Sequence, residues 1–95
     1  MPTETVALDG ELDFATAFDV ELRLEQAIRA ADEVVVDLSG LEFIDSTALG
    51  VVIDLDRRAR GGEFELSIVP GPRHVQRVFE VTKLSDTLPF QPAED

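Results

Sequence analysis

Asp45, Ser46 and Thr47 set two hydroxyls behind a carboxylate at the point where an apolar run gives way to helical spacing. All three are residue types that cap a helix, a side-chain oxygen accepting from a backbone N–H of the first turn. A hydroxyl there is also placed to accept a phosphoryl group. No preceding turn covers it, its neighbouring N–H groups lack intrahelical partners, and the positive end of the helix dipole favours an added anion. Phosphate would bring about −1.5 to −2 charges. The fold is expected to tolerate the modification, while a partner packed on a neutral Ser46 beside Asp45 would meet a hydrated dianion instead. Ordinary capping explains the same three residues, so side-chain chemistry leaves both readings open.

Other chemistries find less support. A Ser-His-Asp hydrolase would have to recruit Ser46, the lone His74 and one of many acids. The nucleophile elbow needs small residues two positions either side of its serine, whereas Ile44 and Ala48 stand there, and no segment suggests an oxyanion hole. His74, beside Pro72 and Arg73, reads as a surface residue in the first turn of a third helix. Asp9, Glu11 and Asp13 alternate, but not with the spacing of a calcium loop, and a solvated strand face accounts for them. Asp54 and Asp56 beside Arg57, Arg58 and Arg60 suit a plain helical surface with salt links of roughly a few tenths of a kcal/mol. Gly40, Gly50, Gly61, Gly62 and Gly71 lack the spacing of a phosphate cradle. Cysteine is absent, which removes thiol nucleophiles and thiolate zinc sites. No catalytic residue, metal, cofactor or small-molecule substrate is expected.

Charge narrows the partners. The 95 residues hold 20 acids and 8 bases, a formal charge of −12. Residues 1–56 carry 14 of the acids with only Arg23 and Arg29, so this part holds all of the excess. A duplex reader must neutralise phosphates with clustered Lys and Arg, so nucleic acid is excluded as a direct partner. An acidic field repels anionic membranes and speeds encounter with a basic partner, although an acidic surface kept for solubility has the same composition. The start, Met-Pro-Thr-Glu-Thr, lacks the basic and apolar regions of a leader, and no apolar run approaches membrane-spanning length. A cytoplasmic protein of one domain, residues 1–95, is expected, 44% apolar and able to fold alone.

The elements that must carry the Asp45 junction follow from periodicity. Thr5 to Leu8, the turn dipeptide Asp9-Gly10 and Glu11-Leu12-Asp13 predict a small hairpin. Ala17, Val20, Leu24, Ala27, Ile28 and Ala31 lie on one helical face, with Thr16 and Asp19 as a capping pair and Asp13 as a rival cap. Val34 to Leu38 suits a central strand buried on both faces and ended by Ser39-Gly40. A second helix runs from the Asp45 junction, with a stripe at positions 48, 51, 52, 55 and 59. Arg57, Arg58 and Arg60 occupy its last turn and Gly61-Gly62 supplies its stop. Phe64 to Val69 predicts another strand. A third helix follows Pro72 with Val75, Val78 and Phe79 inward, Val81 and Leu84 less clearly so, and an edge segment lies near Phe90. The order is β-β-α-β-α-β-α. It describes an α/β domain with a mixed, mostly parallel sheet of about four to five strands packed with three helices. Functional groups in such sheets gather at the carboxyl ends of strands, which points to residues 43 to 48.

The stretch from Val34 to Val52, with Phe43-Ile44-Asp45-Ser46-Thr47-Ala48-Leu49-Gly50 at its centre and Gly10-Glu11-Leu12-Asp13 upstream, resembles the STAS domain of bacterial anti-sigma factor antagonists. The likeness covers nearly the whole chain. It implies a STAS-like fold and a protein that binds a kinase-type anti-sigma factor while Ser46 is free, thereby releasing a sigma factor. Phosphorylation of Ser46 by that serine kinase would switch it off, and a serine phosphatase would reverse the change. Asp13 and Asp45 match family acids that take part in recognition, and the partner surface is expected to include Asp13, Asp45, Ser46, Thr47 and Leu49. Ala48 stands where many relatives have glycine, which leaves the serine's setting intact. Some members of the family are instead constitutive subunits of membrane transporters or multi-subunit sensors, the alternative that the resemblance allows.

Overall fold

Three parallel strands alternate with three helices in a computed structural model that describes residues 2–92. The elements are β1 (Thr3–Leu12), α1 (Ala17–Ala30), β2 (Glu33–Ile44), α2 (Ser46–Arg60), β3 (Glu65–Val69) and α3 (Arg73–Val81). The sheet runs in the order β1-β2-β3, with every pairing parallel. α1 packs on β1 and against α2, and α2 packs on β3, so the two crossover helices share one face, as successive crossovers of one hand in one direction require. Against that face lie Val6 and Leu8 of β1, Val34, Val36 and Leu38 of β2, and Ile68 of β3, all buried.

The expected hairpin does not form. Gly10 has φ +70°, yet the chain continues in one strand from Thr3 to Leu12. A glycine with positive φ after a β-run serves a tight reversal or a bulge equally well, and here it lies at a register shift against β2. β2 likewise does not stop at Ser39-Gly40 but runs on to Ile44. Thr3 pairs with Glu33 and Leu12 with Ile44, so β2 absorbs two extra residues across the two register shifts. The observed order is therefore β-α-β-α-β-α, with three strands rather than four to five and no antiparallel pair among the described residues. Phe90 adds an isolated parallel bridge to Ile68, in the place expected for an edge segment.

β2 is buried on one face only. Val35 and Asp37 alternate with the buried valines and are half-buried, and Thr3, Thr5 and Ala7 of β1 are exposed. α1 buries Ala17, Val20, Leu24 and Ala27, whereas α2 buries Ala48, Val52, Leu55 and Asp56. Asp56 is buried instead of lying on a plain helical surface, yet it makes the expected salt link, its carboxylate accepting from Arg60 Nε at 2.8 Å. Gly62, at φ +92°, supplies the left-handed residue that stops α2. α3 inserts Val75 and Phe79 fully, and Phe79 meets Phe90 edge to face at 5.0 Å. Val81 points away and is exposed, and Leu84 is half-buried. The turn into α3 passes so close to the core that a Cβ on Gly71 would lie 2.8 Å from Val75 Cγ1 and 3.1 Å from the Leu38 carbonyl oxygen.

Candidate functional site

β2 delivers the chain to α2 through one extended residue. Ile44 is buried, Asp45 takes φ −115° and ψ −177°, and Ser46 is already helical. Asp45 is the cap: its Oδ1 accepts from the Ala48 amide at 3.0 Å, and its carbonyl accepts from Leu49 at 3.2 Å. Capping is thus done by the carboxylate, which leaves the adjoining hydroxyls free for other work. Ser46 and Thr47 are both exposed. Their amides stand at the open end of the helix, where backbone N–H groups have no intrahelical partner and the dipole favours an anion. A phosphate on Ser46 would be carried outside the core and beside those donors.

The end of β1 lies against this junction. The Asp45 amide donates to the Leu12 carbonyl at 3.2 Å, and the Phe14 amide donates to Asp45 Oδ2 at 3.2 Å. Between them sits Asp13, whose Oδ1 accepts from the amides of Ala15 and Thr16 at 3.0 and 3.1 Å. The Asp13 amide in turn donates to Thr16 Oγ1 at 3.0 Å. This reciprocal box leads the chain into α1 and replaces the expected Thr16–Asp19 pair; no side-chain bond from Thr16 caps α1. Asp13 is therefore a capping residue and not one of a row of solvated strand acids.

Of the five residues expected to meet a partner, Asp13, Asp45, Ser46 and Thr47 gather at the carboxyl ends of β1 and β2. Leu49 lies one turn into α2 and is half-buried against the core. His74 is committed elsewhere, its Nε2–H donating to the Glu42 carbonyl at 2.7 Å.

A groove of about 410 Å³ opens from Thr47 between α1 and α2, with Glu21 and Glu25 on one wall and Gly50 and Asp54 on the other. Arg58 closes its far end by bonding Glu25 at 2.7 Å and Glu63 at 3.0 Å. The hydrogen bond from Arg58 holds the Glu25 carboxyl below its ordinary range and raises the guanidinium. Among the described residues no cluster of three or more His, Asp or Glu could hold a metal ion, and no helix is long and apolar enough to cross a membrane.

Two features were missed in the sequence. Gly50 sits mid-helix, four residues after Ser46, and a Cβ there would meet nothing within 4 Å. An isolated glycine in a helical pattern costs about 1 kcal/mol relative to alanine, and that was the available signal. The second is apolar exposure: Phe14 is 82% exposed, Phe18 69% and Leu22 48%. Their spacing of four was visible but lay off the inward stripe.

Comparison with known proteins places this geometry in a family. The family model described as "Mlab, STAS domain" matches residues 2–90. The chain belongs to the STAS domain family. Among relatives of this STAS domain, an anti-sigma F factor antagonist of Paenibacillus polymyxa is 33% identical over 89 residues, spanning 90% of this chain and 74% of its own. An anti-sigma-B factor antagonist of Listeria monocytogenes is 31% identical over 86 residues, spanning 90% and 75%. Among solved structures, an anti-sigma factor antagonist from Mycobacterium paratuberculosis superposes with a TM-score of 0.78 at 26% identity, covering 94% of this chain and 76% of that one. The antagonist SpoIIAA in its unphosphorylated form shares the fold, with a TM-score of 0.75 at 22% identity and coverage of 96% and 79%.

Proposed function

We propose that this STAS domain, residues 1–95, is a cytoplasmic anti-sigma factor antagonist. It binds a kinase-type anti-sigma factor while Ser46 is unmodified, so freeing a sigma factor, and lets go when that kinase phosphorylates Ser46. A serine phosphatase restores the binding form. The protein is substrate and binder, with no catalytic residue of its own. Asp13, Asp45, Ser46, Thr47 and the accessible part of Leu49 contribute the surface that the partner reads.

The observation that carries this reading is the division of labour at the helix start: Asp45 caps α2, and Ser46 stands exposed beside it. A serine needed for capping could not change state without loosening the helix, whereas this one can. Gly50 adds support. Backbone left bare without a structural need, on the turn above Ser46, suits close approach by another chain. Truncating one side of a buried polar contact, or leaving a charge buried without a partner, costs 2–5 kcal/mol or so. A desolvated phosphoserine next to Asp45 would thus weaken binding by a factor of about 30 or more.

The test is to incubate the protein with ATP and each purified kinase-type anti-sigma factor of its own genome, and to locate phosphate by mass spectrometry. Modification confined to Ser46, lost in Ser46→Ala, and tight binding of Ser46→Ala but not of Ser46→Asp are the expected results. Binding that ignores Ser46→Asp is what a constitutive STAS subunit of a transporter or sensor would give, and it would overturn the proposal.

A further inference from the structure

α1 turns an apolar ridge to solvent. Phe18 and Leu22 are one helical turn apart, Phe14 lies four residues before Phe18 in the turn that leads into α1, and all three are exposed. Aromatic side chains left in water at this spacing do nothing for the core, which α1 meets through Ala17, Val20, Leu24 and Ala27. The ridge is also tied to the Ser46 turn, because the Phe14 amide is held by Asp45, the cap of α2.

Acids flank the ridge on both sides. Glu21 and Glu25 line the groove toward α2, while Asp19 lines a second hollow with Asp9 and Glu11 against β1. Arg23, the cation beside this stretch, donates to the Ala7 carbonyl at 2.8 Å. An apolar ridge with an acidic border fits an apolar pocket with a basic border. A second copy of the chain is a poor occupant: apposed ridges would bring Asp19 and Glu21 of each copy together, on chains that each carry −12.

We propose that the Phe14–Phe18–Leu22 ridge is the second half of the docking surface that begins at Ser46, and that it seats in an apolar pocket bordered by lysine and arginine on the anti-sigma kinase. This rests on the antagonist reading above. Phosphoserine acts at one edge of such a surface, and the ridge supplies affinity and orientation at the other. Aromatic anchors of this kind dominate interfaces when they become fully desolvated.

The test uses the full chain and the same panel of purified kinase-type anti-sigma factors. Phe18→Ser/Leu22→Ser is expected to keep the wild-type melting curve, since both side chains are exposed, and to weaken binding at least ~30-fold. Asp19→Asn/Glu21→Gln is expected to slow association and to flatten its salt dependence, with dissociation little changed. If wild type binds a kinase and responds to Ser46→Asp, yet binds equally well after Phe18→Ser/Leu22→Ser, the ridge proposal falls and the antagonist reading stands. An association rate unchanged by Asp19→Asn/Glu21→Gln removes the basic border. If wild type binds no kinase of the panel, both fall together. Sedimentation of the protein alone tests the remaining occupant: a dimer that the ridge substitutions dissociate would overturn the proposal in favour of self-association.

Discussion

Asp45 and Phe14 are joined by a single hydrogen bond, the Phe14 amide donating to Oδ2 at 3.2 Å while Oδ1 of the same carboxylate caps α2 through Ala48 at 3.0 Å. One side chain therefore fastens the helix that presents Ser46 to the turn that presents Asp13 and Phe14. The carboxyl ends of the parallel strands β1 and β2 lie side by side here, and the Asp45 amide closes the arrangement by donating to the Leu12 carbonyl.

This bridge separates two substitutions. Asp45→Ala removes the cap and the tether together and is expected to cost about 1–2 kcal/mol in chemical denaturation. Asp45→Asn keeps one carbonyl oxygen for the Ala48 amide but turns an NH2 toward the Phe14 amide, so it is expected to cost roughly half as much. Equal losses for the two variants would contradict the two-oxygen arrangement.

Gly50→Ala is expected to stabilise the protein by about 0.5–1 kcal/mol, because a Cβ there meets open space and alanine loses less backbone freedom in a helix. A thermal melt would rise by roughly 2–8 °C for a domain of this size. Binding to the anti-sigma kinase is expected to weaken in the same variant. A melt that falls would show that the space above Gly50 is not open.

Gly71→Ala has the opposite sign. The new methyl would press on Val75 Cγ1 and on the Leu38 carbonyl, both fixed by the packing of α3 on β2. Overpacking of this kind costs about 1–3 kcal/mol, measurable as a lower denaturation midpoint. An unchanged midpoint would mean that the turn into α3 can move aside.

How legible was this from the sequence? The Asp45 junction was, because cap chemistry at a strand-to-helix turn is local: it depends on residue types within four positions, and so do the inward stripes of α1 and α2. The strand boundaries were not. Asp9-Gly10 looks like a reversal, and only pairing with residues 40 and 41, thirty positions on, keeps it within a continuous parallel strand, opposite the extra residues of β2. Ser39-Gly40 reads as a stop for the same reason. Asp13 read both as one of three alternating acids and as a rival cap, and its box with Thr16 bears out the second reading. Phe18 and Leu22 were not legible because apolar residues off the inward stripe of a helix carry no signal of burial or partner in the sequence.

The Arg58–Glu25 pair gives a pH dependence. Its hydrogen bond lowers the Glu25 carboxyl from the ordinary value of 4.5, so the charged form is favoured in the folded state. The contribution is present above that value and is lost as the pH falls below it. Both side chains are partly exposed and screened by solvent, which limits the pair to about 0.5 kcal/mol. Glu25→Gln should therefore be less stable than wild type by about that amount near neutrality, with the difference closing under acid. A difference that widened as pH fell would reverse the sign of the coupling.

The central claim is that a phosphoryl group on Ser46 is noticed by the partner and not by the fold. The direct measurement compares the unmodified protein with its stoichiometrically Ser46-phosphorylated form, recording the thermal melt of each and the dissociation constant of each for the same anti-sigma kinase. Melting curves that nearly coincide, with affinity lower by ~100-fold or about 2.7 kcal/mol, are predicted. Equal affinities, or a phosphorylated form that has lost its cooperative melt, would contradict the account.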